Sequence, residues 1–132
     1  MPQRFYSPEE AELELPRITE ELERMRECLA FLRRASTAAG HGTEIELGTQ
    51  ADPEALRYRW ALERLEAAQR RLFDDGIEIR DVDRGLVDFP ARHGAETVLL
   101  CWLEGEENVA FFHDASSGFG GRRPIDELLP PV

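Results

Sequence analysis

The chain predicts an α+β fold, a long antiparallel helical hairpin packed against a small antiparallel β-sheet. Three observations predict it. Before residue 76, apolar residues recur every three or four positions through two long stretches. After Gly76 the period shortens towards two, and Val, Ile, Leu and Phe gather in short runs. Gly76 itself follows Asp74 and Asp75 and reads as a helix stop between the two regimes.

Tyr6-Ser7-Pro8-Glu9-Glu10 is a helix start. Ser7 caps, Pro8 suits the first helical position, and Glu10 completes a capping box. Pro16 removes a donor, which predicts a short first helix and a break or kink near Leu15. A long helix follows from Pro16 to about Ala38. Ile18, Leu22, Met25, Leu29 and Leu32 form its apolar seam. Gly40 to Ala51 is a connection long enough to be functional, with a short strand possible at Ile45 and Leu47. His41, between two glycines, reads as a solvated loop residue. Asp52-Pro53 opens the second long helix, whose seam is Tyr58, Ala61, Leu65, Ala68 and Leu72.

Ile77 to Asp81 and Leu86 to Phe89 read as short strands around a turn at Val82-Asp83-Arg84-Gly85. Pro90 to Ala95 reads as a polar loop. Thr97 to Leu103 and Val109 to Asp114 are the central strands, joined across Gly105 to Asn108. Both faces of this hairpin are apolar at mid-strand, which places it between the helices and another layer or subunit. Ser116 to Gly121 reads as a loop and Ile125 to Leu129 as a closing helical turn.

The chain's 132 residues fit a single domain, 1–132, with the helical hairpin at 8–76 and the sheet part at 77–132. A hydrophobic content of 42% supports a modest core. There is no apolar run of membrane-spanning length and no apolar centre of a signal peptide, so the expectation is a cytoplasmic protein that does not enter a membrane. A net charge of −11 repels phosphate backbones and argues against nucleic acid as a partner. All 16 positive residues are arginine, so no single arginine stands out by residue type as a phosphate ligand. Cys28 and Cys101 lie among apolar neighbours and read as buried free thiols, without zinc-ligand spacing.

Several segments stand in a set order: Phe5-Tyr6-Ser7-Pro8-Glu9-Glu10-Ala11 with Leu15-Pro16, then Gly85-Leu86-Val87-Asp88-Phe89-Pro90. Cys101-Trp102, Gly105-Glu106, Phe112-His113-Asp114, Gly118-Phe119 and Gly121-Arg122 follow. Together these segments resemble the prokaryotic family filed as domain of unknown function 2203. The likeness spans nearly the whole chain. The resemblance implies no activity.

Three constellations are candidates for function. The first is an acid/base or metal site at His113 with Asp88; the simpler reading is a strand-end histidine bonded to a carboxylate or to backbone. If Gly105 pairs with Asn108, then Trp102 faces Phe111, Leu100 faces His113, and Glu104 lies roughly 13 Å from His113, a spectator. The second is an anion site where Gly121, after Gly118 and Gly120, cradles a ligand that Arg122 clamps; the simpler reading is a turn whose arginines pair with acidic residues. The third is Phe119, an aromatic among glycines that invites a partner chain. Ser116 and Ser117 lack a fixed base, so no serine nucleophile is proposed.

Two functional readings follow. The first is a non-enzymatic interaction or assembly module that forms a homodimer. The alternative is a small metal-dependent or acid/base enzyme around His113, Asp88 and Arg122. No motif names a cofactor, a metal or a small-molecule ligand.

Overall fold

The computed structural model describes residues 3–38 and 52–132. Its elements are α1 (Pro8–Ala38), α2 (Pro53–Asp74), β1 (Glu78–Asp81), β2 (Leu86–His93), β3 (Glu96–Leu103), β4 (Phe111–Asp114) and β5 (Arg123–Pro124), with short 3₁₀ turns at Phe119–Gly121 and Ile125–Glu127. Two helices and a five-stranded antiparallel sheet make an α+β fold. The Gly40 to Ala51 connection, with the strand expected at Ile45 and Leu47 and the reading of His41, lies outside the described residues.

The start of α1 is the expected capping box. Glu10 N–H donates to Ser7 Oγ at 3.1 Å, and Ser7 N–H donates to the Glu10 carboxylate at 3.0 Å. The break expected near Leu15 is absent, and α1 runs through Pro16 as one helix. Tertiary contacts hold the turns before the proline in place. Ala11 is fully buried, and just upstream Tyr6 N–H donates to the Pro90 carbonyl at 2.7 Å. At the start of α2, Asp52 accepts from Glu54 N–H and Pro53 fills the first turn.

The helices are antiparallel, because contacts fall along one as they rise along the other. Arg17 pairs with Asp75, and Glu21 with Arg71. Of the expected seams, Ile18, Leu22, Met25, Leu32, Ala61, Leu65, Ala68 and Leu72 are buried. Leu29 and Tyr58 are partly buried against them. Each large apolar side chain buried this way contributes about 1.5–3 kcal/mol.

The sheet is a meander in strand order β1-β2-β3-β4-β5. Val87, Phe89 and Ala91 of β2, Val98, Leu100 and Trp102 of β3, and Phe112 of β4 share one face and are buried with the helical seams. The edges are β1, whose pairing slips between Ile79 and Asp81, and the two-residue β5.

Two expectations about the strands are corrected. Pro90 to Ala95 is not a loop: β2 runs on to His93 and turns through Gly94, whose φ is +60°. Pro90 is tolerated because its carbonyl points away from β3 to accept from Tyr6. A residue's N and C=O share one side of a strand, so the missing N–H is not needed by β3. The central hairpin is also one residue out of the expected register. Leu99 pairs with His113, Leu100 with Phe112 and Cys101 with Phe111, and β4 starts at Phe111 rather than Val109. A slip of one residue exchanges sheet faces. Trp102 therefore does not face Phe111.

Candidate functional site

The observed register assembles a polar cluster on the sheet face away from the helices. Asp88 of β2 lies opposite Cys101 of β3, and Cys101 lies opposite Phe111 of β4. His113 stands two residues further along β4, on the same face. Asp88, Cys101 and His113 are each at most 2% exposed. One ligand-type atom from each lies within 4.8 Å of the others.

The hydrogen bonds give each group a direction. His113 Nδ1 is 2.8 Å from the Asp114 carbonyl, which can only accept, so Nδ1 carries a proton and donates. His113 Nε2 is 3.2 Å from Asp88 Oδ1. The other carboxylate oxygen, Oδ2, accepts from Arg80 Nε at 2.8 Å. Burial first, and then the Asp88 carboxylate, push the Cys101 thiol up to about 11, while the Arg122 guanidinium acts in the opposite sense. A protonated, buried thiol is the reverse of an activated nucleophile.

Among the predicted site residues, the fold brings His113 and Asp88 into contact. Arg122 approaches the same cluster through Cys101, donating to its carbonyl at 3.0 Å and to the Glu106 carboxylate at 2.6 Å. Its guanidinium stacks over Phe111 and Phe119 at 4.2 and 4.5 Å. Gly121 N–H donates to the Gly118 carbonyl and Arg122 N–H to the Phe119 carbonyl, so the 3₁₀ turn uses both donors. Phe119 is 40% exposed and also lies under Arg84. Glu104 pairs with Arg26 of α1. His93 takes the other sheet face, packs at a tilt against Phe112 and accepts from Leu129 N–H.

Cys101 is the member that sequence reasoning missed. The Gly94 turn fixes His93 opposite Glu96 and hence Asp88 opposite Cys101. Reading Pro90 to Ala95 as a loop hid that signal.

A second feature lies on the helical layer. A groove of about 270 Å³ runs between α1 and α2, floored by Cys28, Phe31 and Ala61. Trp60 borders it at 58% exposure, and Leu56, one turn earlier on α2, is 56% exposed. The rim carries both signs of charge, with Arg24, Arg57 and Arg64 against Glu27.

Fold and site together define a small α+β domain with a helical hairpin on one side of a meander and a buried carboxylate–thiol–imidazole cluster on the other. The chain belongs to the family of uncharacterized conserved proteins designated domain of unknown function 2203, which matches residues 4–125. No curated relative and no solved structure matches it. Among the described residues, no helix is long and apolar enough to cross a membrane.

Proposed function

We propose that the protein is a non-enzymatic assembly module that forms a symmetric homodimer through the groove face of its helical hairpin. One observation carries the reading: Trp60 stands more than half exposed beside an apolar groove floored by Phe31, Cys28 and Ala61. A large aromatic next to a preformed groove is the usual anchor of a protein contact. The rim suits a second copy. In a two-fold contact the same surface meets itself, so arginines from one copy can approach Glu27 of the other. Occupation of the groove would desolvate Trp60 without disturbing the core.

The enzyme alternative at His113, Asp88 and Arg122 has weaker support. The first two side chains are buried beneath the surface, and Arg122 is engaged by Glu106 and the Cys101 carbonyl. A reacting molecule needs an approach that these contacts close.

Light scattering of the full chain at micromolar concentration tests the dimer. The expected result is dimer mass for wild type and monomer mass for Trp60→Glu, with an unchanged circular dichroism spectrum. Monomer mass for wild type overturns the reading.

A further inference from the structure

We propose that Asp88, Cys101 and His113 bind a divalent metal ion of the zinc class within the sheet, through three protein ligands. The inference is independent of the assembly reading. It starts from a buried contact between a carboxylate and an imidazole nitrogen, with a thiol beside them. His113 Nδ1 is committed as a donor to the Asp114 carbonyl. In the neutral ring that leaves a lone pair on Nε2, aimed at Asp88 Oδ1 across 3.2 Å. In that state the two acceptors would repel unless a positive charge, a proton on Nε2 or a metal ion, lies between them. Cys101 Sγ completes a ring of three donor atoms around the same place.

The surroundings favour a metal over a lone proton. The carbonyl on Nδ1 fixes the tautomer that presents Nε2 outward, the support that metal-binding histidines commonly have. Arg80 holds Asp88 by Oδ2 and leaves Oδ1 turned towards the cluster. Carboxylate and thiolate together balance a doubly charged ion. The two nearby arginines do not upset that balance, since Arg80 also pairs with Glu78 and Arg122 with Glu106. Among the described residues the buried Arg122 Nε–H has no acceptor, and a thiolate at Cys101 would bring negative charge beside it.

The donor set selects the metal. One oxygen, one nitrogen and one sulfur suit zinc and its neighbours, whereas magnesium and calcium take oxygen shells. Tetrahedral ligands around zinc stand about 3.3–3.8 Å apart, so the present spacing of up to 4.8 Å must contract by about 1 Å. Side-chain rotation can supply that without moving a strand. The three ligands come from β2, β3 and β4, so a bound ion would tie these strands together, with its fourth position left to a water. Cys28 belongs to the helical groove and takes no part.

The test is a titration of the chelator-stripped full chain with cobalt(II), then zinc(II), with magnesium(II) as control. One cobalt per chain should bind and produce a near-ultraviolet thiolate-to-cobalt band that zinc removes. Zinc, but not magnesium, should raise the thermal midpoint. Cys101→Ser should abolish the band and Cys28→Ser should keep it. Asp88→Asn and His113→Gln should each weaken zinc by at least about tenfold. In case a variant fails to fold, the wild-type His113 ring is also read by nitrogen NMR, where zinc should shift Nε2 and leave Nδ1 protonated. No thiolate band and no ring response to zinc would overturn the proposal, leaving an ion pair of His113 with Asp88. A band that survives Cys101→Ser and vanishes in Cys28→Ser would overturn it equally.

Discussion

Gly85 ends the turn before β2 with φ at +72°, and a side-chain carbon there would lie 2.5 Å from Glu104 Cβ. Its amide closes the turn onto Asp81, and its carbonyl accepts from Glu104 N–H. Gly85→Ala therefore meets left-handed backbone strain and a clash together. It should cost about 1–3 kcal/mol in urea unfolding. Gly105 is the control, because its φ is +107° but, among the described residues, nothing lies within 4 Å of the added carbon. Gly105→Ala should cost less, through backbone strain alone.

Tyr6 ties the N-terminal arm to the end of α2 by donating its hydroxyl to the Asp75 carbonyl at 2.7 Å. Tyr6→Phe should lose about 0.5–1.5 kcal/mol. Burial, the largest influence, raises the phenol above its ordinary 10.0. The folded protein keeps a proton that the unfolded chain gives up, so this contribution is complete below pH 10 and is lost as pH rises further. Stability measured from pH 9 upward should fall less steeply in Tyr6→Phe than in wild type. A parallel fall in both proteins would contradict the assignment. At this scale the sequence was most informative where chemistry is local. Ser7 with Glu10 and Asp52 with Pro53 could be read directly, because a cap involves residues within one turn. Cys101 could not, because its role depends on neighbours from two other strands.

Among the elements, α1 carries the clearest cost. Pro16 sits inside a 31-residue helix, exposed and without an amide to give. Pro16→Ala restores one helical hydrogen bond and removes no buried contact, so it should stabilise by about 1–3 kcal/mol. An unchanged or lower denaturation midpoint would show that α1 is not held straight through this turn. Glu21 links the helices, buried in α1 and bonded to Arg24 at 3.2 Å and to Arg71 of α2 at 3.1 Å. Both arginines are more than half exposed, which weakens the pair. A double-mutant cycle of Glu21→Gln with Arg71→Gln should give a coupling of about 1 kcal/mol that shrinks with salt. Leu22→Asp, in the adjacent buried seam, should cost several times that.

The helical seams were legible because the charged residues between them leave only one apolar face. The central hairpin was not. Leu99, Leu100, Cys101 and Trp102 are all apolar, so alternation does not mark which face is inward, and a one-residue slip in the turn goes unseen. Pro90 misled for a related reason. Its effect depends on which side of β2 its nitrogen faces, and the partner on that side is Tyr6, more than eighty residues earlier.

At the scale of the whole molecule, the proposed dimer couples stability to concentration. The thermal midpoint should rise with protein concentration over a hundredfold range, and Trp60→Glu should remove the dependence. At a net charge of −11 the copies repel at long range, so the proposed contact depends on the apolar groove and on the opposite charges of its rim.

The two edges of the meander have a further consequence. β1 is four residues long, carries charge at three of them and has its pairing interrupted after Ile79. β5 has two residues, and the second is proline. Short length, charge, irregular pairing and proline are the features that keep exposed strands from recruiting others. A second chain arriving as an extended peptide finds no continuous row of free amides and carbonyls at either side. Strand-by-strand growth into fibres is disfavoured at both ends of the sheet, and in the proposed dimer copies would associate through the helices and part again without unfolding.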